Sequence, residues 1–181
     1  MNITIFKDIK STSTPFFKTI GVMLDRIQNG ASKDIVEGIR NEKDKSTRNI
    51  LKQQLPAVCF SGKFTKREDK AILEHSGFIC LDFDGYATEK EMKADKAIIS
   101  KNKYTYSVFV SPSGNGLKVI VRIPRDVENH KNYFNSLEKH FNSRYFDKTS
   151  KNISRVCYES YDPEIYVNTS SELWNTLSEH E

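Results

Sequence analysis

The sequence has few of the residues that build disulfide scaffolds, zinc sites or membrane spans. Its three cysteines, Cys59, Cys80 and Cys157, are odd in number and far apart, and its four histidines lack zinc-ligand spacing. No apolar run approaches the length of a membrane span, and residues 1–6 lack the apolar core of a signal peptide. These absences argue against a disulfide-rich secreted scaffold, a structural zinc site and a membrane partner. They predict free thiols in a soluble, cytoplasmic protein.

Charge is also modest, with 28 basic and 24 acidic residues and a pI near 8.8. This mild basicity permits a polyanionic partner but does not demand one. With 181 residues, 37% of them hydrophobic, the chain can bury one substantial core. We therefore predict one domain over residues 1–181, with a mainly helical part in residues 1–55 and an α+β part in residues 56–170.

The hydrophobic spacing changes from helical to strand-like near Pro56, and no internal repeat or low-complexity linker interrupts it. The order of the elements predicts an α+β domain with a mostly antiparallel sheet. The predicted helices cover residues 15–28, 32–40, 46–54 and 127–145, with a tail helix from residue 171. The predicted strands cover residues 57–62, 77–84, 104–110, 117–123 and 153–159, and residues 66–75 form a loop or brief helix.

Two carboxylates end the most apolar of these strands. Asp82 and Asp84 are two residues apart, so they point to the same face and lie roughly 6.5 to 7 Å apart along the strand. Oxygen-only ligands favour Mg²⁺ or Mn²⁺. An ordinary strand-to-turn junction is also rich in Asp and Gly. The buried strand favours compensation of the two like charges by a cation or by a basic side chain.

Two later segments contain groups that suit phosphate. Residues 111–118 combine two serines, two glycines and Lys118, which is typical of a phosphate cradle or of a flexible hairpin turn. Residues 145–155 place Asp147 ahead of basic and hydroxyl side chains, as phosphate binding beside a carboxylate-held metal requires, although a solvated loop has the same composition. Arg155 enters a predicted strand, where an inward guanidinium needs an anionic partner.

In their order, residues 81–85, 111–118 and 146–147 resemble the motifs of the archaeo-eukaryotic primase, or primase-polymerase, superfamily. The arrangement looks closest to the primase-like amino-terminal domain of virulence-associated E type proteins of phages, plasmids and mobile elements. The resemblance covers about residues 55–168. It has one departure, because many members of the superfamily carry histidine where this chain has Lys118.

The resemblance implies an RRM-like, mostly antiparallel sheet with flanking helices beside a small helical or αβ amino-terminal module, the primase-polymerase fold. It also implies a DNA-templated nucleotidyltransferase, a DNA primase or primase-polymerase, that serves replication of a phage, plasmid or mobile element with Mg²⁺ or Mn²⁺ as cofactor. The implied partners are nucleoside triphosphates, a single-stranded DNA template and a replicative helicase in cis or trans.

The same resemblance assigns roles to individual residues. Asp82, Asp84 and Asp147 would be the catalytic metal ligands. Lys63, Lys66 and Arg67 would follow the template backbone. The nucleotide would be bound by Ser111, Ser113, Gly114, Gly116, Lys118 and Arg155.

Two other functions stay open at this point. A non-catalytic module that binds nucleic acid or nucleotide with the same fold is favoured by the mild basicity and by Lys118. A metal-dependent nuclease would also use a carboxylate pair.

Overall fold

The computed structural model describes residues 2–178 of the chain. Within these residues, strands and helices are interspersed along the chain, and all assigned strand pairings are antiparallel. The elements are β1 (Asn2–Phe6), β2 (Phe16–Thr19), α1 (Ile20–Asn29), α2 (Lys33–Asn41), α3 (Lys45–Lys52), β3 (Ala57–Cys59), β4 (Gly62–Phe64), a 3₁₀ turn (Asp69–Ala71), β5 (Ile72–His75), β6 (Phe78–Phe83), α4 (Glu89–Ser100), β7 (Thr105–Val110), β8 (Leu117–Arg122), α5 (His130–Phe141), β9 (Cys157–Tyr158) and β10 (Tyr166–Val167). The predicted α+β class and antiparallel sheet are confirmed.

The strands form two four-stranded sheets and one hairpin. The first sheet has the order β2-β1-β3-β9. The small amino-terminal αβ module therefore includes one strand, β9, from near the end of the chain. The second sheet has the order β10-β7-β8-β6, and β4 pairs with β5. In the second sheet, β6, α4, β7, β8 and α5 follow one another along the chain with β8 between β6 and β7, as in an RRM-like sheet.

Strand β6 is apolar from Phe78 to Leu81 because both of its faces are covered there. Ile79, Leu81 and Phe83 pack into the larger core with residues of α5, whereas Phe78 and Cys80 pack into a second core with residues of β1 and α1. A strand buried on both faces reads as a continuous hydrophobic run. The second of these faces is the one that continues into Asp82 and Asp84.

The first helix is shorter than the sequence predicts. Residues 16–19 form β2, which pairs with β1, and α1 begins only at Ile20. The side-chain oxygen of Thr19 accepts a hydrogen bond from the backbone N–H of Val22 at 3.3 Å, and this cap marks the helix start. Gly30 ends the helix in the left-handed region, with φ of 84°. The prediction of a helix from residue 15 was therefore wrong for its first residues, because residues 16–19 are a strand and the helix begins at residue 20.

Predictions near the end of the chain also need correction. The strand predicted over residues 153–159 is reduced to the two residues of β9, which pair with Ala57 and Val58 of a β3 strand only three residues long. Residues 171–178 contain no helix, and residues 179–181 of the predicted tail helix lie outside the described residues. A segment without regular secondary structure replaces the helix, because Trp174 anchors it: its backbone N–H donates to Arg122 O at 2.8 Å and its indole N–H donates to Ser136 Oγ at 2.9 Å.

The segment over residues 66–75 is a 3₁₀ turn followed by β5. The three cysteines are free, as predicted. None of the helices in residues 2–178 has the length and apolar character needed to cross a membrane.

Candidate active-site cleft

Backbone pairing brings the three predicted aspartates to one end of β6. Phe83 forms an antiparallel bridge with Phe146. The backbone N–H of Asp147 donates to Asp82 O at 2.8 Å, and that of Asp84 donates to Tyr145 O at 2.8 Å. Residues directly opposite in an antiparallel pair share a face of the sheet, so Asp147 lies beside Asp82.

Lys118 is the direct partner of Asp82. The two residues are opposite each other in the pairing of β6 with β8, and Lys118 Nζ lies 2.9 Å from Asp82 Oδ1. Their side chains are only 14% and 12% exposed, respectively. Burial lowers the pKa of Lys118, but the Asp82 carboxylate outweighs that effect and the net shift of this pKa is upward. Lys118 therefore supplies a fixed positive charge at the acidic strand end.

A buried hydroxyl group joins Asp82 to Asp147. Ser150 Oγ lies 3.2 Å from Asp82 Oδ2 and 2.9 Å from Asp147 Oδ2, and its single proton can serve only one of them at a time. Asp147 Oδ1 also accepts hydrogen bonds from the backbone N–H and the hydroxyl of Thr149. Burial raises the pKa of Asp147. The hydrogen bonds from Thr149 and Ser150 lower this pKa by more than burial raises it, so the net shift is downward.

Asp84 differs from the other two aspartates because its side chain is exposed to the cleft. Within residues 2–178 its carboxylate has no hydrogen-bond or ion-pair partner. Partial desolvation is the largest cause that raises the pKa of Asp84, and the negative charges of Asp82 and Asp147 raise it further. The positive charges of Lys118 and Lys52 oppose this shift. Asp84 is thus a carboxylate that is crowded by negative charges and has no partner among the described residues.

The glycine-containing loop packs directly against this strand end. A Cβ atom at Gly116 would lie 2.8 Å from Asp84 Oδ1 and 2.9 Å from Phe83 O, so only glycine allows the observed approach. Gly114 has φ of 80°, and its N–H donates to Ser111 O at 2.9 Å. The Gly114 amide therefore donates its hydrogen bond within the turn, whereas the resemblance assigned Gly114 to nucleotide binding.

Arg40 of α2 binds the loop through a backbone oxygen. Its Nη2 donates to Ser111 O at 3.0 Å and to Tyr161 O at 2.9 Å, and the aliphatic part of its side chain faces Gly114. The loop is consequently tied to α2 in the amino-terminal module. Sequence reasoning did not identify Arg40, because this contact joins segments that are distant in the chain.

The strand end and the loop border an open cleft of about 820 Å³. This volume is in the range of pockets that hold a nucleotide-sized ligand. Asp82 and Asp84 line it together with polar groups of Ser111, Ser113 and Asn115. Its basic lining residues are Lys45, Arg48, Lys52, Arg67, Lys118 and Arg155.

The cleft does not include all of the predicted site residues. Gly114, Gly116 and Asp147 lie next to it without lining it. Arg67 lines the cleft and donates from Nη1 to Ile9 O at 3.2 Å. Lys63 and Lys66 do not line it: the Lys63 ammonium lies 4.9 Å from the ring centroid of Phe17, and that of Lys66 lies 3.0 Å from Glu68 Oε1.

The sequence did not assign a function to the basic residues of α3 or to Ser150. Lys45, Arg48 and Lys52 had a visible signal, because their spacing puts them on one face of a helix. Which face would point to the cleft was not visible. Ser150 had no signal of its own, since a serine in a charged loop is common.

The carboxylates suit Mg²⁺ or Mn²⁺ by the type of their donor atoms. Between residues 2 and 178, no three His, Cys, Asp or Glu side chains are placed close enough together to form a metal-binding group. Two features nevertheless fit a divalent cation at Asp82 and Asp84. The Asp84 carboxylate is unpartnered, and one hydroxyl proton is shared by Asp82 and Asp147.

A family model described as "BT4734-like, N-terminal domain" matches residues 50–167. No curated protein matches the chain significantly. Among solved structures, the AEP domain of the cyanophage S-2L primase-polymerase (PrimPol) is similar, with a TM-score of 0.47 and 14% sequence identity over 96% of this chain and 83% of that chain.

Proposed function

We propose that this chain, which belongs to the BT4734-like N-terminal domain family, is a DNA-templated nucleotidyltransferase, namely a DNA primase or primase-polymerase. The observation that carries the proposal is a single cleft in which an acidic strand end meets a hydroxyl-lined loop and several cations. Transfer of a nucleotide to a 3′-hydroxyl develops negative charge on the phosphates and releases pyrophosphate. Such a reaction is accelerated mainly by positioning and by electrostatic stabilisation.

Different residues of the cleft can bind phosphate, supply positive charge and position the loop. Ser113 and Arg155 line the cleft with groups that can donate to phosphate oxygens. Lys118 holds Asp82 in place and keeps a positive charge at the point where the acidic strand ends. Gly116 lets the loop approach the strand, so that phosphate donors and carboxylates face the same space.

Asp82 and Asp84 would hold a divalent cation, and Asp147 would orient Asp82 through Ser150. When bound, Mg²⁺ or Mn²⁺ would neutralise phosphate charge and favour the deprotonated attacking hydroxyl. Asp84 is the residue that is free to accept the ion without breaking an existing bond. This role is consistent with its crowding by negative charges, which a cation would relieve.

The biological setting of the proposal rests on the resemblance of the three motifs to primase-like domains of virulence-associated E type proteins. It places the reaction in replication of a phage, plasmid or mobile element, with a helicase acting in cis or trans. This finer relationship remains a prediction.

The direct test is synthesis on single-stranded DNA with labelled nucleotides and Mg²⁺ or Mn²⁺. We expect products with the wild-type chain and a loss of at least 100-fold with Asp84→Asn, the scale of loss when a charge-stabilising group is removed. Asp25→Asn is the matched control, because Asp25 is an exposed carboxylate on α1, outside the cleft. The proposal is wrong if neither metal supports synthesis by a protein that binds nucleotide.

A second function is favoured by the buried pair of Lys118 and Asp82. Because Lys118 already neutralises Asp82, the cleft could bind nucleotide or nucleic acid without catalysis. Nucleotide binding that is unchanged by chelation of divalent ions, together with no synthesis, would support this binding module. A metal-dependent nuclease would instead degrade the DNA, and tight metal-dependent binding of nucleoside triphosphate would argue against it.

A further inference from the structure

Helix α3 presents a row of polar side chains to the cleft. Lys45, Arg48, Asn49 and Lys52 all line it, and their spacing of three, four and seven residues places them on one helical face. From the first to the last residue this face extends about 10.5 Å along the helix axis. We call Lys45, Arg48 and Lys52 the α3 cation row.

The cations of this row lack partners of opposite charge. No ion pair or side-chain hydrogen bond to them is formed by any residue in the described range 2–178. Desolvation lowers the pKa of Lys52, and the positive charges of Arg48 and Lys118 lower it further. Like charges held together in this way repel each other, and an anion in the cleft would relieve the repulsion.

The distribution of charge over the chain points to the same place. Among the described residues, six basic and two acidic side chains line the cleft, so its lining has an excess of four positive charges. This excess equals the formal net charge of +4 of the chain. A concave surface with a net positive charge attracts polyanions by focusing the field.

The row lies on a helix that is capped at its start and packs through Leu51. Asp44 caps α3 by accepting a hydrogen bond from the Thr47 N–H at 2.8 Å. On the other side of the helix, Leu51 packs against the cluster of Val36, Ile39 and Leu55. The three cations take no part in that cluster, so they can be replaced without removing core contacts.

We infer that the α3 cation row binds the sugar-phosphate backbone of a single-stranded nucleic acid. This inference rests on the proposed function, which needs a template strand in addition to a nucleotide. The row carries three cations, so it can contact up to three phosphates of the strand. The α3 cation row lies in a different segment of the chain from Ser113 and Arg155, which are the residues assigned to the nucleotide. The template track therefore runs along α3, in place of Lys63 and Lys66.

The test measures binding of a fluorescein-labelled oligothymidylate over a series of salt concentrations. The triple variant Lys45→Gln, Arg48→Gln, Lys52→Gln is compared with a control triple variant of equal charge change, Lys101→Gln, Lys131→Gln, Lys139→Gln. The control lysines are exposed and lie outside the cleft. We expect the slope of log affinity against log salt to fall by about 2 in the first variant, because each single-strand phosphate contact contributes about 0.7. The control should keep the wild-type slope.

Nucleotide binding, measured in parallel by calorimetry with a deoxynucleoside triphosphate and Mn²⁺, separates this inference from the proposed function. Loss of oligothymidylate binding with retained nucleotide binding supports the row as the strand track. An unchanged salt slope in the α3 variant overturns the inference, and synthesis by the wild-type chain would still support the proposed function. Loss of nucleotide binding alone would assign the row to the triphosphate and would also overturn it. Circular dichroism verifies that both variants are folded.

Discussion

At the scale of single residues, Gly116 and Lys118 decide the shape and charge of the cleft. The sequence predicted Gly116 as a backbone donor to phosphate, whereas its placement shows a steric role: it leaves room for Asp84 Oδ1 and Phe83 O. Lys118 was predicted to meet phosphate, and it pairs with Asp82. Both residues were recognised from the loop motif, but the atoms that they touch depend on the register between β6 and β8.

Replacing Gly116 with alanine should destabilise the protein by about 1 to 3 kcal/mol, as overpacking of a filled site does. It should also weaken nucleotide binding, because the loop must move away from Asp84. Urea denaturation and calorimetry measure the two effects. Gly38→Ala is the matched control: nothing lies within 4 Å of the added Cβ, and removing a helix-interior glycine should stabilise α2 by about 0.5 to 1 kcal/mol. Equal stability of the two variants would contradict the steric role.

At the scale of elements, a buried histidine pair connects the end of β5 to the start of α5. His75 Nδ1 accepts a hydrogen bond from the Gly77 N–H at 2.9 Å, so its proton is on Nε2, which lies 3.0 Å from His130 Nδ1. Burial lowers the pKa of His75 to about 4 and that of His130 to about 3. Both rings are therefore neutral in the folded protein at pH 7, and the hydrogen bond between them requires this state.

The histidine pair should make the free energy of unfolding depend on pH. An unfolded histidine has a pKa near 6.5, so the unfolded chain binds more protons than the folded one below that pH. Stability should be highest above about pH 6.5 and fall as the pH drops towards 4, with His75 alone accounting for about 3 kcal/mol. Urea denaturation at several pH values measures this slope.

The variant His130→Gln should make that slope shallower, because one buried titrating ring is removed. His140→Gln should retain most of it, since His140 is exposed. An unchanged slope in His130→Gln would mean that other groups cause the acid sensitivity.

At the scale of the whole molecule, the cleft combines residues from both parts of the chain. Helix α3 supplies the cation row, β6 and β8 supply Asp82 and Lys118, and Asp84 follows β6 directly. Arg40 of α2 binds the cleft loop without lining the cleft. The lining of the cleft carries an excess of four positive charges. A ligand that fills the cleft should therefore stabilise the entire fold, because it binds a surface that exists only when both parts are in place.

Mn²⁺ should raise the melting temperature of the wild-type chain if Asp82 and Asp84 hold it. At a free metal concentration of about 100 times the dissociation constant, the gain is about 2.7 kcal/mol. For a chain of this size that corresponds to a shift of roughly 5 to 10 °C. Calorimetric scans with increasing Mn²⁺ measure it, and EDTA should reverse it.

The variant Asp84→Asn should lose most of the shift, whereas Asp25→Asn should keep it. An equal shift in both variants would place the ion elsewhere on the protein.

The sequence by itself determined the local features of this protein. The periodicity of α2 and α3, the buried strand that ends in Asp82 and Asp84, and the hairpin with its glycine-containing loop are all set by neighbouring residues, whose spacing and turn preferences act over a few positions. Tertiary structure decided the strand identity of residues 16–19 and the absence of a helix in residues 171–178, because pairing with β1 and the anchor of Trp174 outweighed helical spacing. It also decided which cations face the carboxylates. The pairing of Lys118 with Asp82, the approach of Asp147 and the orientation of α3 arise from contacts between distant segments, and no local pattern specifies them.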